Sequence, residues 1–232
     1  MSEAGSRLNL SKKWPAFVVV EGPIGVGKTT LARRLSRSFE SDLMLEGDCE
    51  NPFLERFYQN PRAAALPTQL HFLLQRARQL KEINQEDMFS PVRVSDFLIE
   101  KDRLFAELTL DADELDLYEQ VYATLTLDVP TPDLVIYLQA PVEVLLERIE
   151  KRGQAHEQMI EAAYLERLCD SYVRFFYQYS EAPLLIVNAA DIDFANNQKD
   201  YQLLLDRILA NRGGRHYFNP SAVMMQQELE QL

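Results

Sequence analysis

Residues Glu21 to Thr30 read EGPIGVGKTT, with Gly22, Gly27, Lys28 and Thr29 at the fixed positions of G-x-x-x-x-G-K-[ST]. Gly22, Gly25 and Gly27 carry no Cβ, so the backbone between them can turn its N–H groups toward anionic oxygens at a helix N-terminus. Pro23, Ile24, Val26 and Thr30 fill the rest of the cradle. Lys28 has the reach for β- and γ-phosphates, and the Thr29 hydroxyl is a ligand for Mg²⁺. A nucleoside triphosphate with its magnesium ion is the expected guest.

Two carboxylates fall where apolar runs end, Glu46 after LML and Asp96 after VRVS. In phosphoryl transfer one acid commonly helps to hold the metal while another accepts the proton of the attacking hydroxyl, and this pair is placed for both roles. A second basic cluster lies in ERIEKRG, where Arg148 and Arg152 are four apart and share a helical face. Like charges so placed repel by roughly 0.3 kcal/mol, which a phosphate would relieve. Beside a phosphate loop the pair reads as a lid that brings arginines over the transferring group.

The elements that must position these residues follow from hydrophobic pattern. AFVVV reads as a buried strand, and KTTLARRLSRSF places Leu31, Leu35 and Phe39 at helical spacing. LMLE is a short strand, NPFLERFY opens a helix with Pro52 in its first turn, and residues 66–86 form a long helix with Leu70, Leu73, Leu74 and Leu80 on its apolar face. PVRVSDF is a strand ending at Asp96, a helical tract spans about 111–127, and DLVIYLQAP is a strand ending before Pro141. VEVLLERIEKRG is a helix stopping at Gly153, followed by another long helix, the strand PLLIVNA and a last helix over about 199–211.

Strands apolar on both faces alternating with helices predict an α/β, three-layer P-loop fold: a central parallel sheet of about five strands, helices on each side, and an arginine-bearing lid. Ligands then sit at the carboxyl ends of the strands. One domain is expected over 1–232, with its core at about 16–210 and a mobile tail after Gly213 and Gly214.

Against 24 lysines and arginines stand 36 acids, a net charge of −12, so the surface repels phosphate backbones and a nucleic acid polymer is not an expected partner. Cys49 and Cys169 have no metal-ligand spacing, and the three histidines are scattered, so reduced thiols and no zinc site are expected. The N-terminus has no apolar h-region and no run approaches a membrane span, which predicts a cytoplasmic protein.

EGPIGVGKTT, NPFLERFY, TQLHFLLQR, SDFLIEKDRLFA, ERIEKRG and AADIDF together resemble the deoxynucleoside kinases, particularly the bacterial deoxyadenosine and deoxyguanosine kinases, from about Ala16 to Ala210. The resemblance implies transfer of the ATP γ-phosphoryl to the 5′-hydroxyl of a purine deoxyribonucleoside, deoxyadenosine first, in nucleotide salvage. It implies Glu46 as general base, Tyr58 and Glu157 on the sugar 3′-hydroxyl, and Gln69 and Arg76 reading the base. Asp96 is implied near Mg²⁺, Arg148 and Arg152 in the lid, and Asp193 with Phe194 bordering the ATP adenine. A glutamine amide suits adenine's paired donor and acceptor. A homodimer built on the long helices is also implied.

Two departures stand out. Animal members follow the strand-end acid with arginine and serine, whereas Phe97 and Leu98 stand here, a position at which bacterial purine-type members also vary. Gln154 stands where the lid often continues with arginine. The rival readings are a monophosphate kinase of the thymidylate kinase type, which needs positive charge for an acceptor phosphate, and a non-catalytic member such as the accessory subunit of respiratory complex I. Intact Lys28, Thr29 and Glu46 argue against the second, and the lack of N-K-x-D argues against a GTP switch.

Overall fold

The apolar runs become the sheet. In a computed structural model that describes residues 15–46, 51–85, 93–126, 129–154, 157, 160–211 and 213–220, strand β1 (Phe17–Glu21) is buried along its whole length. It pairs in parallel with β3 (Arg93–Ser95) on one side and β4 (Leu134–Gln139) on the other. Strands β2 (Asp42–Met44), β5 (Leu184–Asn188) and β6 (Arg215–Phe218) complete an all-parallel sheet of order β2-β3-β1-β4-β5-β6. The chain therefore reverses its direction of winding at β1, and the crevice at such a switch point is where ligands bind in open α/β sheets.

Parallel strands need crossovers, and helices supply them. They are α1 (Lys28–Phe39), α2 (Leu54–Gln59), α3 (Pro61–Gln85), α4 (Lys101–Thr109), α5 (Ala112–Leu125), α6 (Val142–Arg152), α7 (Ala162–Gln178) and α8 (Gln198–Ala210). α1 buries Leu31, Leu35 and Phe39, the residues whose spacing predicted it. α6 ends where Gly153 turns left-handed at φ 69°, a conformation that favours glycine.

Two further elements and two shifted boundaries separate the structure from the sequence reading. Among the described residues the sheet has six strands, because RHYF, just past the two glycines where a mobile tail was expected, pairs with β5 from Leu184 to Val187. α3 starts at Pro61 and runs through Pro67, and the turn ahead of that proline is held by Ala64 and Ala65 packed on Phe57. α2 starts at Leu54, so Pro52 lies in the turn before it. α4, to which the sequence reading gave no range, starts at Lys101 after the short turn that follows Asp96, and it supplies one of the two cations on Glu46. Cys49 and His156 lie outside the described residues, and Cys169 is a free thiol.

Candidate active site

At the carboxyl ends of β1, β2 and β3 opens a cleft of about 2110 Å³. Its floor is the loop from Ile24 to Thr30, while Gly22 and Pro23 stand outside its wall. Gly22 serves the loop's exit from the sheet. With φ at 151°, a Cβ there would come 2.3 Å from the Leu138 carbonyl oxygen of β4, so only glycine lets the loop leave β1 this closely. Gly27 begins α1 at φ 103°, with the Phe194 ring where a side chain would be. Lys28 Nζ donates to the carbonyls of Gly22 at 2.7 Å and Pro23 at 3.3 Å. Burial, and after it the Lys101 ammonium, push the Lys28 amine below its ordinary value.

The two strand-end acids are joined through one of them. Asp96 Oδ2 accepts from the Thr29 hydroxyl at 2.5 Å, and its Oδ1 accepts from the Glu46 backbone N–H at 2.7 Å. The loop threonine and the residue expected to act as base thus hang on opposite oxygens of a single buried carboxylate. Glu46 itself receives Arg76 on Oε1 and Lys101 on Oε2, the latter at 3.0 Å. Burial alone would raise its carboxyl, but Arg76, then Lys101 and Lys28, outweigh that and hold it well below the usual carboxylate range. Glu46 is therefore an anion at neutral pH, able to accept a hydrogen bond on either oxygen.

Other expected residues gather around this centre. Tyr58, Gln69, Arg76 and Glu157 all line the cleft. Burial raises the Tyr58 phenol, with Tyr164, Glu157 and Glu46 adding to it, so the tyrosine stays a neutral donor beside two carboxylates. Gln69 Nε2 donates to Thr109 Oγ1 at 3.2 Å. Arg152 pairs with Glu157, while Arg148 is tied inward to the carbonyls of Val26 at 3.3 Å and Ala189 at 2.8 Å. The two arginines share α6 and the cleft wall but have different partners. Asp193 and Phe194 close the far end, where Arg34 donates to the Phe194 carbonyl at 2.6 Å and stacks on Tyr201.

The family model described as deoxynucleoside kinase matches residues 18–211. The chain belongs to this family. Membership makes it a phosphotransferase, and the relatives agree in kind. Deoxyguanosine kinase of Bacillus subtilis (strain 168) is 38% identical over 192 residues, covering 80% of this chain and 92% of that protein. Deoxyadenosine/deoxycytidine kinase of the same organism is 27% identical over 201 residues, covering 83% and 91%. A solved structure of deoxyadenosine kinase from M. mycoides with bound dATP superposes with a TM-score of 0.72, covering 83% of this chain and 98% of that one at 24% identity, which speaks for the fold.

Three residues of this deoxynucleoside kinase that the sequence reading did not single out complete the charge pattern. Glu21, the last residue of β1, is wholly buried and lies 3.4 Å from Lys101. Lys101 bridges it to Glu46, and Asp102 pairs with Arg76. A chain of alternating charges, Glu21, Lys101, Glu46, Arg76 and Asp102, thus runs along the cleft, its three middle members on the wall and its two ends behind it. All three lie in motifs already quoted, Glu21 opening EGPIGVGKTT and Lys101 and Asp102 inside SDFLIEKDRLFA, but nothing within either stretch names the partner of its charges.

Proposed function

We propose that this protein transfers the γ-phosphoryl group of ATP to the 5′-hydroxyl of a purine deoxyribonucleoside. What carries the reading is the Asp96 link: a triphosphate-loop hydroxyl and the backbone N–H of the ionised Glu46 donate to one side chain, at the wall of one cleft. Glu46 accepts the hydroxyl proton, and Tyr58 and Glu157 engage the sugar. Lys28, Arg148 and Arg152 offset charge on the phosphates, as positioning and electrostatics must in a transfer with little covalent chemistry for the protein to do. Thr29 and Asp96 present the hard oxygen donors that Mg²⁺ takes, and magnesium is commonly bound through few protein ligands plus substrate phosphates. Held there, the ion would supply positive charge against the phosphates of the triphosphate.

Deoxyadenosine is the acceptor that the Gln69 amide supports. Deoxyguanosine is its competitor, supported by the 38% identical relative of that name. For either base, Arg76 Nε and Asp102 Oδ2 offer a buried donor and acceptor with no hydrogen-bond partner among the described residues. Exposed Leu74 on α3 and Leu117 on α5 support a homodimer. No helix among the described residues is long and apolar enough to cross a membrane.

The deciding experiment is a Mg²⁺- and ATP-dependent phosphorylation assay over the four deoxyribonucleosides and their monophosphates, with Lys28→Ala as the blank. Turnover of the two purine nucleosides above the pyrimidines is the expected result. Reaction of monophosphates alone would remove the hydroxyl that Glu46 is assigned.

A further inference from the structure

We propose that Lys101 is a positioning residue for phosphoryl transfer: its ammonium, anchored by the Glu21 carboxylate, holds the Glu46 carboxylate in the orientation that receives the acceptor hydroxyl. The inference rests on Glu46 being the group that accepts that proton.

Lys101 is the first residue of α4 and is only 1% exposed. A cation in that place is opposed twice, by the positive end of the helix macrodipole and by the loss of its water. Compensating anions must be close, and two are: Glu21 and Glu46. Glu21 already has neutral donors from three parts of the fold, the N–H of Gly22 at 2.8 Å, the N–H of Leu98 at 2.9 Å and the Tyr172 hydroxyl at 3.0 Å. Those bonds fix its carboxylate as a rigid negative post.

Lys101 Nζ stands 3.4 Å from that post and 3.0 Å from Glu46 Oε2, so its shorter bond is to the residue in the cleft. A lysine that served only to neutralise Glu21 would have no need of the second carboxylate. Arg76 occupies the other Glu46 oxygen, so the two cations together remove the rotation that either alone would leave to the carboxylate plane. Phe97 and Leu98 occupy the places directly after Asp96, and the Leu98 N–H is spent on Glu21; the cations at Glu46 come from α3 and α4 instead.

The test is a double-mutant cycle of Lys101→Met with Glu46→Gln, measuring kcat, both KM values and melting temperature. In the native background Lys101→Met is expected to lower kcat by about tenfold to a hundredfold, with the KM values for nucleoside and ATP within about twofold. In the Glu46→Gln background the same substitution is expected to cost less than about twofold, because there is no carboxylate left to orient. Equal losses in both backgrounds overturn the role. A raised KM for ATP at unchanged kcat also overturns it and makes Lys101 a phosphate contact. Should Lys101→Met not fold, Glu21→Gln, which matches the carboxylate in shape but not in charge, goes through the same cycle with the same outcomes. Native turnover in Glu46→Gln alone sinks the base itself, so the two failures are read from different variants.

Discussion

Glu46 is gripped on both carboxylate oxygens, and that grip sets its behaviour with pH. Its folded carboxyl lies well below the ordinary range, with burial opposing and Arg76 and Lys101 driving the shift. A group depressed in the fold stabilises it above its unfolded value, about 4.3 for a glutamate, and that contribution is lost as pH falls toward the folded value. Thermal melting from pH 7 to pH 3 should show Glu46→Gln below the native protein at neutral pH, with the gap narrowing below about pH 4. A constant gap across that window would mean that the carboxylate is not preferentially ionised in the fold. The loop residues Gly22 to Thr30 were legible in the sequence because their chemistry is contiguous. Lys101 was not, since the partners that give it meaning are Glu21 and Glu46, 80 and 55 residues away. Nor could spacing show that Arg76 directs its terminal nitrogens to Glu46 and Asp102.

At the scale of elements, β1, β4 and β5 were readable because a strand covered on both faces must be apolar throughout, and each is buried in all or nearly all of its residues. β6 was hidden by the opposite condition: an edge strand of four residues, with Arg215 and Tyr217 exposed and only Phe218 fully buried. The point where β1 becomes the loop is the least tolerant of change. An alanine at Gly22 places its Cβ on backbone, the Leu138 carbonyl, which cannot swing away as a side chain can. Gly22→Ala should therefore destabilise the fold by about 2 kcal/mol or more, read as a lowered denaturant midpoint, through both the clash and the positive φ. A midpoint equal to the native one would show that β1 and β4 can part locally without cost.

For the molecule as a whole, family and layer order were legible, because spaced motifs and alternating elements are properties of the linear chain. Assembly was not, because an exposed leucine on a helix reads the same in a monomer as in a dimer. Leu74 and Leu117, 39% and 48% exposed, stand on neighbouring helices. Sedimentation should give twice the chain mass of 26.8 kDa, and Leu117→Glu should shift it to one chain while leaving the melting temperature of the monomer within a few degrees. A native protein that sediments as one chain overturns the dimer. The bridge through Asp96 reaches further than the geometry of the cleft itself. Because Thr29 and the Glu46 backbone share that side chain, a guest that moved Asp96 from the loop side would move the Glu46 backbone with it, a route by which two guests that never touch would sense each other. Thermodynamic reciprocity then governs the traffic: the factor by which a bound triphosphate alters affinity for the nucleoside is the same factor that the nucleoside returns to the triphosphate.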